Sequence, residues 1–220
     1  MARRCSQLPL ALPPTWGGRR RGAGRKPTPG QKTGVPHRTR PPHVATQPVH
    51  ATLRTTSAVR CLRSSRAFPA VLRAMTAASR GGFRIIHFSI QDDHVHLLVE
   101  ADSRERLSGG LRGVAIRIAR AVNRAFGRRG AVFGDRYHAR ALATPREVRH
   151  ALVYVLMNRK KHDPWTTGLD PCSSARWFHG WREAVRVPEH DTPVVRPRTW
   201  LAAVGWRRHG LISIAARPRS

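Results

Sequence analysis

Two short stretches carry side chains suited to phosphate chemistry. In QDDHVHLLVE, residues 91–100, His94 and His96 stand one residue apart, behind two acids and ahead of an apolar run. On a strand, residues i and i+2 point to the same face, so both imidazoles would project side by side from one face of a sheet. Such a pair can converge on a divalent metal or form a buried hydrogen-bonded pair, and the spacing alone weights the two equally. The second stretch, TPREVRHALVYVLMNRKKH (144–162), puts Tyr154 and Asn158 four residues apart, hence on one face of a helix, with His150 and Lys161 near the same stripe. Tyr154 sits at the border of the apolar side made by Val148, Leu152, Val155 and Leu156, where an ordinary packing tyrosine also fits. Only one other tyrosine exists, Tyr137.

These residues need a scaffold, and the hydrophobic pattern supplies one. In PVHATLRTT (48–56), Val49, Ala51 and Leu53 alternate as on a half-buried strand. Residues 67–79 read as a helix stopped by Gly81 and Gly82. FRIIHFSI (83–90) and HVHLLVEA (94–101) form an antiparallel hairpin around Gln91–Asp92–Asp93. Asp102 and Glu105 have capping-box spacing for a helix to about Phe126, with a core stripe through Leu107, Leu111, Val114, Ile118, Val122 and Phe126. Arg117, Arg120 and Arg124 line another face, which is either simply solvated or tracks a phosphate backbone. AVFGDRYHARALA (131–143) reads as a strand with a glycine irregularity. Thr144, Pro145 and Glu147 then mark the best-capped helix of the chain. The order β-α-β-β-α-β-α predicts an α+β fold, an antiparallel sheet of about four strands with its helices packed on one face.

Composition narrows the partners. Across 220 residues, 41 Lys and Arg face 12 Asp and Glu, a formal charge of +29. Such an excess repels itself unless an anion binds, so nucleic acid leads. Three scattered cysteines argue against a zinc knuckle or a disulfide scaffold and suit a reducing cytoplasm. Prolines 9, 13 and 14 interrupt an apolar patch that would otherwise mimic a signal peptide, and no apolar run has membrane-span length. A cytoplasmic protein with no membrane partner is expected. Residues 1–46, rich in Arg, Pro and Gly, read as a disordered basic tail; 47–165 as the catalytic-type domain; 166–220 as a Trp-rich, short helical C-terminal appendage.

Taken together, HVHLLVE on a strand, the F-x-D-R-Y-H-x-R-x-L stretch (133–142) and E-x-x-x-x-L-x-Y-V-x-x-N-x-x-K-H on a capped helix resemble the single-tyrosine HUH transposases. Within them the resemblance is to the insertion-sequence two-hundred-like group, including the REP-associated tyrosine transposases, over roughly residues 48–165. It implies the ferredoxin-like HUH fold, His94, His96 and Asn158 as ligands of Mg²⁺ or Mn²⁺, and Tyr154 as nucleophile, with Tyr137 a non-catalytic tyrosine. It further implies a 5′-phosphotyrosine intermediate on single-stranded, hairpin-containing DNA. Arg117, Arg120, Arg124, Arg136 and Arg140 are then candidates for phosphate contacts. Relatives include monomers and dimers, so a homodimer is admitted. Arg159 stands where many members have proline, and the N-terminal tail is longer than the family needs. A binder of structured nucleic acid without catalysis, or a basic ribosomal or chromatin-type protein, stays open as an alternative.

Overall fold

The computed structural model describes residues 42–59, 61–163, 165–188 and 190–218. The basic tail expected over residues 1–46 lies outside the described residues as far as residue 41. Seven elements follow in the expected order: β1 (Val49–Arg54), α1 (Phe68–Thr76), β2 (Phe83–Ile90), β3 (His94–Ala101), α2 (Arg104–Phe126), β4 (His138–Ala141) and α3 (Pro145–Leu156). All strand pairs are antiparallel, in the order β2-β3-β1-β4.

The sheet is covered on both faces, which corrects the expectation of helices on one. Val95, Leu97 and Val99 of β3 join Val49, Ala51 and Leu53 of β1 in a core roofed by α1 and α2. Leu98, on the opposite side of β3, packs under Val148, Leu152 and Leu156 of α3. The physical cause lies in β3 itself: it is apolar at consecutive positions, so neither face can be left to water. A register shift between Ile85 and His87 in β2 serves the same end. It lets Phe83 and Ile85, then Phe88 and Ile90, all reach the α2 side, while Ile86 turns to α3. Gly110 allows α2 to lie close on β2, since a Cβ there would fall 2.2 Å from Phe83.

Local signals hold in kind and sometimes shift in place. The hairpin forms around Gln91–Asp93, closed by Gln91 N–H donating to His94 O at 2.8 Å. The α3 capping box forms as spaced, Thr144 accepting from Glu147 N–H and Glu147 from the Thr144 backbone. For α2 the cap is Ser103, which accepts from Arg106 N–H, and not the Asp102–Glu105 pair. The strand expected over 131–143 is reduced to four residues. Phe133 still bridges Thr55, but the chain loops outward from Gly134 and rejoins β1 only where His138 meets Thr52.

The residues beyond α3 are mostly irregular, with α4 (Arg159–His162), α5 (Trp200–Ala203) and two 3-10 turns. They complete the second core: Phe178, Trp181, Trp206 and Ile212 are buried against α3. The buried Glu100 carboxylate of β3 fastens this segment, accepting from Arg198 N–H, Thr199 N–H and Thr199 Oγ1 while paired with Arg84. Two basic residues flanking Tyr154 in sequence hold the chain's last turns, Arg149 donating to Gly210 O and Lys160 to Ile214 O.

Candidate active site

The side of β3 that carries Leu98 also carries His94 and His96, whose ring centroids lie 4.6 Å apart. Period-two geometry places His50 and Thr52 of β1 beside them, because Thr52 pairs with His96 and Arg54 with His94. His96 Nδ1 lies 3.0 Å from Thr52 Oγ1 and 3.3 Å from His50 Nε2. With the proton on Nδ1 donated to Thr52, Nε2 keeps a bare lone pair, and that buried nitrogen has no hydrogen-bond partner. His94 Nδ1 donates to Asp93 Oδ1 at 2.6 Å, which likewise turns Nε2 into its lone-pair nitrogen.

The electrostatics keep His96 and His50 neutral. Burial, then the neighbouring His50, His94, His162 and Lys161, push His96 down to about 2. Burial, then His138 and Arg140, push His50 down to about 4. Burial also acts to raise the Asp93 carboxyl, but its hydrogen bond to His94 and the Arg54 guanidinium outweigh it and hold Asp93 below the usual carboxylate range. A neutral imidazole with a free nitrogen is a cation ligand in waiting.

Tyr154 comes to this cluster from α3. Its ring meets His96 edge-on at 5.0 Å and His50 at 5.5 Å between centroids, and the Lys161 ammonium lies 5.3 Å from its ring. The next turn follows the same track: Arg159 reaches Asp92 at 3.6 Å, and the His162 ring lies 5.8 Å from that of His94. The expected single helix over 144–162 is broken, however. It ends at Leu156, the hydrogen bonds tighten to the three-residue spacing at Lys160 and Lys161, and Asn158 occupies the break before α4. Asn158 is 1% exposed, yet neither polar atom of its amide has a partner. Burying an amide unpaired costs on the order of 1–3 kcal/mol, so this group is held for a ligand or is a cost to the fold.

Among the described residues no group of three or more His, Cys, Asp or Glu stands ready for a metal. The buried polar atoms left without a partner include His96 Nε2 and the Asn158 amide, a nitrogen and an oxygen donor. That composition of N and O donors suits a divalent cation that keeps open positions.

Tyr137 lies elsewhere, packed against the core on the α2 side of the sheet. Arg117, Arg120 and Arg124 lie on α2, also across the sheet from the imidazoles, with Arg117 donating to Gly113 O. Arg136 lines a cavity between α2 and β4, together with Tyr137. Of the five arginines only Arg140 borders Tyr154. It lines a cavity of about 730 Å³ with Tyr154, His50, Arg146 and His150, and it pairs with Glu147 at 2.6 Å. Sequence reasoning misses His50 and Thr52 although PVHATLRTT signals them: they are the polar positions alternating with Val49, Ala51 and Leu53.

No curated protein sequence matches the chain. The family model described as "Transposase IS200 like" matches residues 48–155, a stretch that includes His94, His96 and Tyr154 and ends before Asn158. Among solved structures, a REP-associated tyrosine transposase bound to a REP hairpin superposes with a TM-score of 0.52 at 18% identity, covering 64% of this chain and 82% of that one. A chain described as a transposase of Deinococcus radiodurans R1 is a looser likeness: TM-score 0.36, 16% identity, 51% and 87% coverage. The strand order, the shared fold and the family match over 48–155 agree, and the chain belongs to the IS200-like transposase family.

Proposed function

We propose that this transposase cuts and rejoins single-stranded DNA with Tyr154 as nucleophile. The Tyr154 oxygen attacks the scissile phosphorus; the new O–P bond leaves DNA joined by its 5′ phosphate to tyrosine, and the broken P–O bond leaves a 3′-OH. Reversal of the step by a 3′-OH rejoins strands, and the bond energy stored on tyrosine makes a nucleotide cofactor unnecessary. The observation that carries the reading is the edge-on approach of Tyr154 to His96, the imidazole whose Nε2 is buried without a partner.

A phenol has an ordinary pKa near 10, so Tyr154 must shed its proton as it attacks. The Lys161 ammonium lies beside its ring, and the cavity arginines Arg140 and Arg146 suit the phosphates on either side. His94, His96 and Asn158 would hold Mg²⁺ or Mn²⁺, which when bound supplies positive charge to the non-bridging oxygens of the scissile phosphate. Asp93 and Thr52 would orient the two imidazoles by accepting hydrogen bonds from their Nδ1–H groups. A single strand that carries a hairpin is the favoured substrate, because the chain is strongly basic and its structural relative was solved on a REP hairpin.

The test is covalent capture. With Mn²⁺ and single-stranded oligonucleotides the wild type forms a protein–DNA adduct that survives denaturation. Tyr154→Phe binds the same DNA and forms none. Adducts persisting in Tyr154→Phe would overturn the assignment.

A further inference from the structure

The tryptophans among the described residues have very different surroundings. Trp206 and Trp181 are buried, and Trp200 and Trp177 each have an arginine over the ring, Arg208 at 4.8 Å and Arg176 at 5.0 Å. Trp165 is 90% exposed, and among the described residues its indole has no ring or cation against it. An indole can bury about 150–250 Å² of largely apolar surface, so leaving one in water forgoes one of the largest gains any side chain offers.

Its position is fixed. Asp163 holds the loop by accepting from Trp165 N–H at 3.1 Å and from Thr166 Oγ1 at 2.9 Å, while Thr166 N–H returns to Asp163 O. Asp163 is itself within 3.8 Å of Arg159. The loop leaves directly from α4, whose last residue, His162, has its ring 5.8 Å from that of His94. Trp165 therefore follows His162, the residue whose ring faces His94, by three residues of chain. Of the basic residues that precede it, Arg159 pairs with Asp92 and Asp163, Lys160 is spent on Ile214 O, and Lys161 lies by the Tyr154 ring.

A flat, exposed aromatic face four residues after Lys161, whose ammonium lies by the Tyr154 ring, matches an unpaired base of a strand that reaches the cutting residue. A protein or lipid surface would call for a wider apolar patch than one indole. We propose that Trp165 is a stacking platform for an unpaired nucleobase flanking the scissile phosphate. This deepens the nuclease reading and rests on it. Trp165 touches a base and not the reacting atoms, so it is a residue of substrate recognition. It explains how a chain this basic would favour a single strand over a duplex, since a paired base has no free face to offer.

The experiment compares the full chain with Trp165→Ala and Trp165→Phe, exposed-site variants that leave the core intact. The probes are labelled oligodeoxyadenylate and an abasic sugar-phosphate oligomer of equal length and charge. Trp165→Ala weakens binding to oligodeoxyadenylate by about 5- to 150-fold, the worth of one stacked base. Trp165→Phe retains most of the affinity, and the abasic oligomer binds wild type and Trp165→Ala alike. Equal oligodeoxyadenylate affinity in wild type and Trp165→Ala overturns the platform, as does an equal loss on the abasic oligomer. Adducts on wild-type protein are scored in parallel. Adducts with no base-dependent loss sink the platform alone, whereas a base-dependent loss without adducts sinks the nuclease reading and with it the scissile phosphate, leaving Trp165 only as a base-stacking residue.

Discussion

Tyr154 and His96 meet edge to face, 5.0 Å between ring centroids, although one comes from a helix and the other from a strand nearly sixty residues earlier. The contact exists because β3 is covered on both sides. Leu98 draws α3 onto the face that His94 and His96 share, and Tyr154, at the border of the helix's apolar stripe, lands over the imidazoles. A sheet with all its helices on the α2 side would leave the histidines in water and the tyrosine without a site.

If Thr52 fixes the His96 tautomer, Thr52→Val removes the acceptor while keeping the side-chain shape. Mn²⁺ binding, measured by calorimetry on DNA-free protein, then weakens about 10- to 100-fold, the usual effect of removing a group that orients a metal-bound histidine. Unchanged Mn²⁺ affinity would show that Thr52 does not orient His96 for a cation.

His87 is a second buried imidazole, away from Tyr154, hydrogen-bonded to Ser174 Oγ at 3.1 Å and edge-on to Phe178. Burial, then the charge of His179, lowers it from 6.5 to about 3. The folded state therefore prefers neutral His87, and the unfolded chain takes up a proton below pH 6.5. Its contribution is whole above pH 6.5 and is lost as pH falls toward 3, at a slope of about 1.4 kcal/mol per pH unit. Denaturant titrations from pH 7 down to 4 show this slope, and His87→Asn reduces it by one proton. An identical pH dependence in the variant would mean His87 is protonated in the fold.

Glu100 is fully buried and is the anchor of the C-terminal segment. Glu100→Ala leaves Arg84 without its buried partner and Thr199 without its acceptor, at a cost of about 3–5 kcal/mol. Limited proteolysis of the variant shows new cuts after residue 190 before the sheet is attacked. Protection equal to wild type would show that the Trp206 packing holds the segment unaided.

Arg117, Arg120 and Arg124 lie across the sheet from Tyr154, so their part in binding separates from the chemistry. Replacing all three by Ala lowers affinity for single-stranded DNA and flattens its salt dependence by about 0.7 for each phosphate no longer neutralised. The rate of adduct formation at saturating DNA stays at the wild-type value. A slower rate at saturation would place α2 in the cutting step.

Much of the fold is legible in the chain itself. Alternation at Val49, Ala51 and Leu53, the hairpin around Gln91–Asp93 and the Thr144–Glu147 box are local signals that survive folding, whereas the Asp102–Glu105 box gives way to a Ser103 cap. The rest depends on neighbours. The doubly covered sheet requires that Leu98 and Val99 both be core, which a run of apolar residues leaves undecided. The shortened β4 follows from an outward loop at Gly134 that only its pairing with β1 reveals. His50 shows in sequence only as a polar position alternating with Val49 and Ala51, and what makes it a site residue, His96, is 46 positions away. Asn158 reads as part of a continuous helix because nothing in VLMNRKK marks the break.

The most direct test is the identity of the DNA-bearing residue in wild-type protein. An adduct formed on single-stranded DNA with Mn²⁺ is digested and its modified peptide sequenced by mass spectrometry. A nucleotide remnant on Tyr154 is the expected result. A remnant on Tyr137, across the sheet from His94 and His96, would contradict the assignment of Tyr154 as nucleophile.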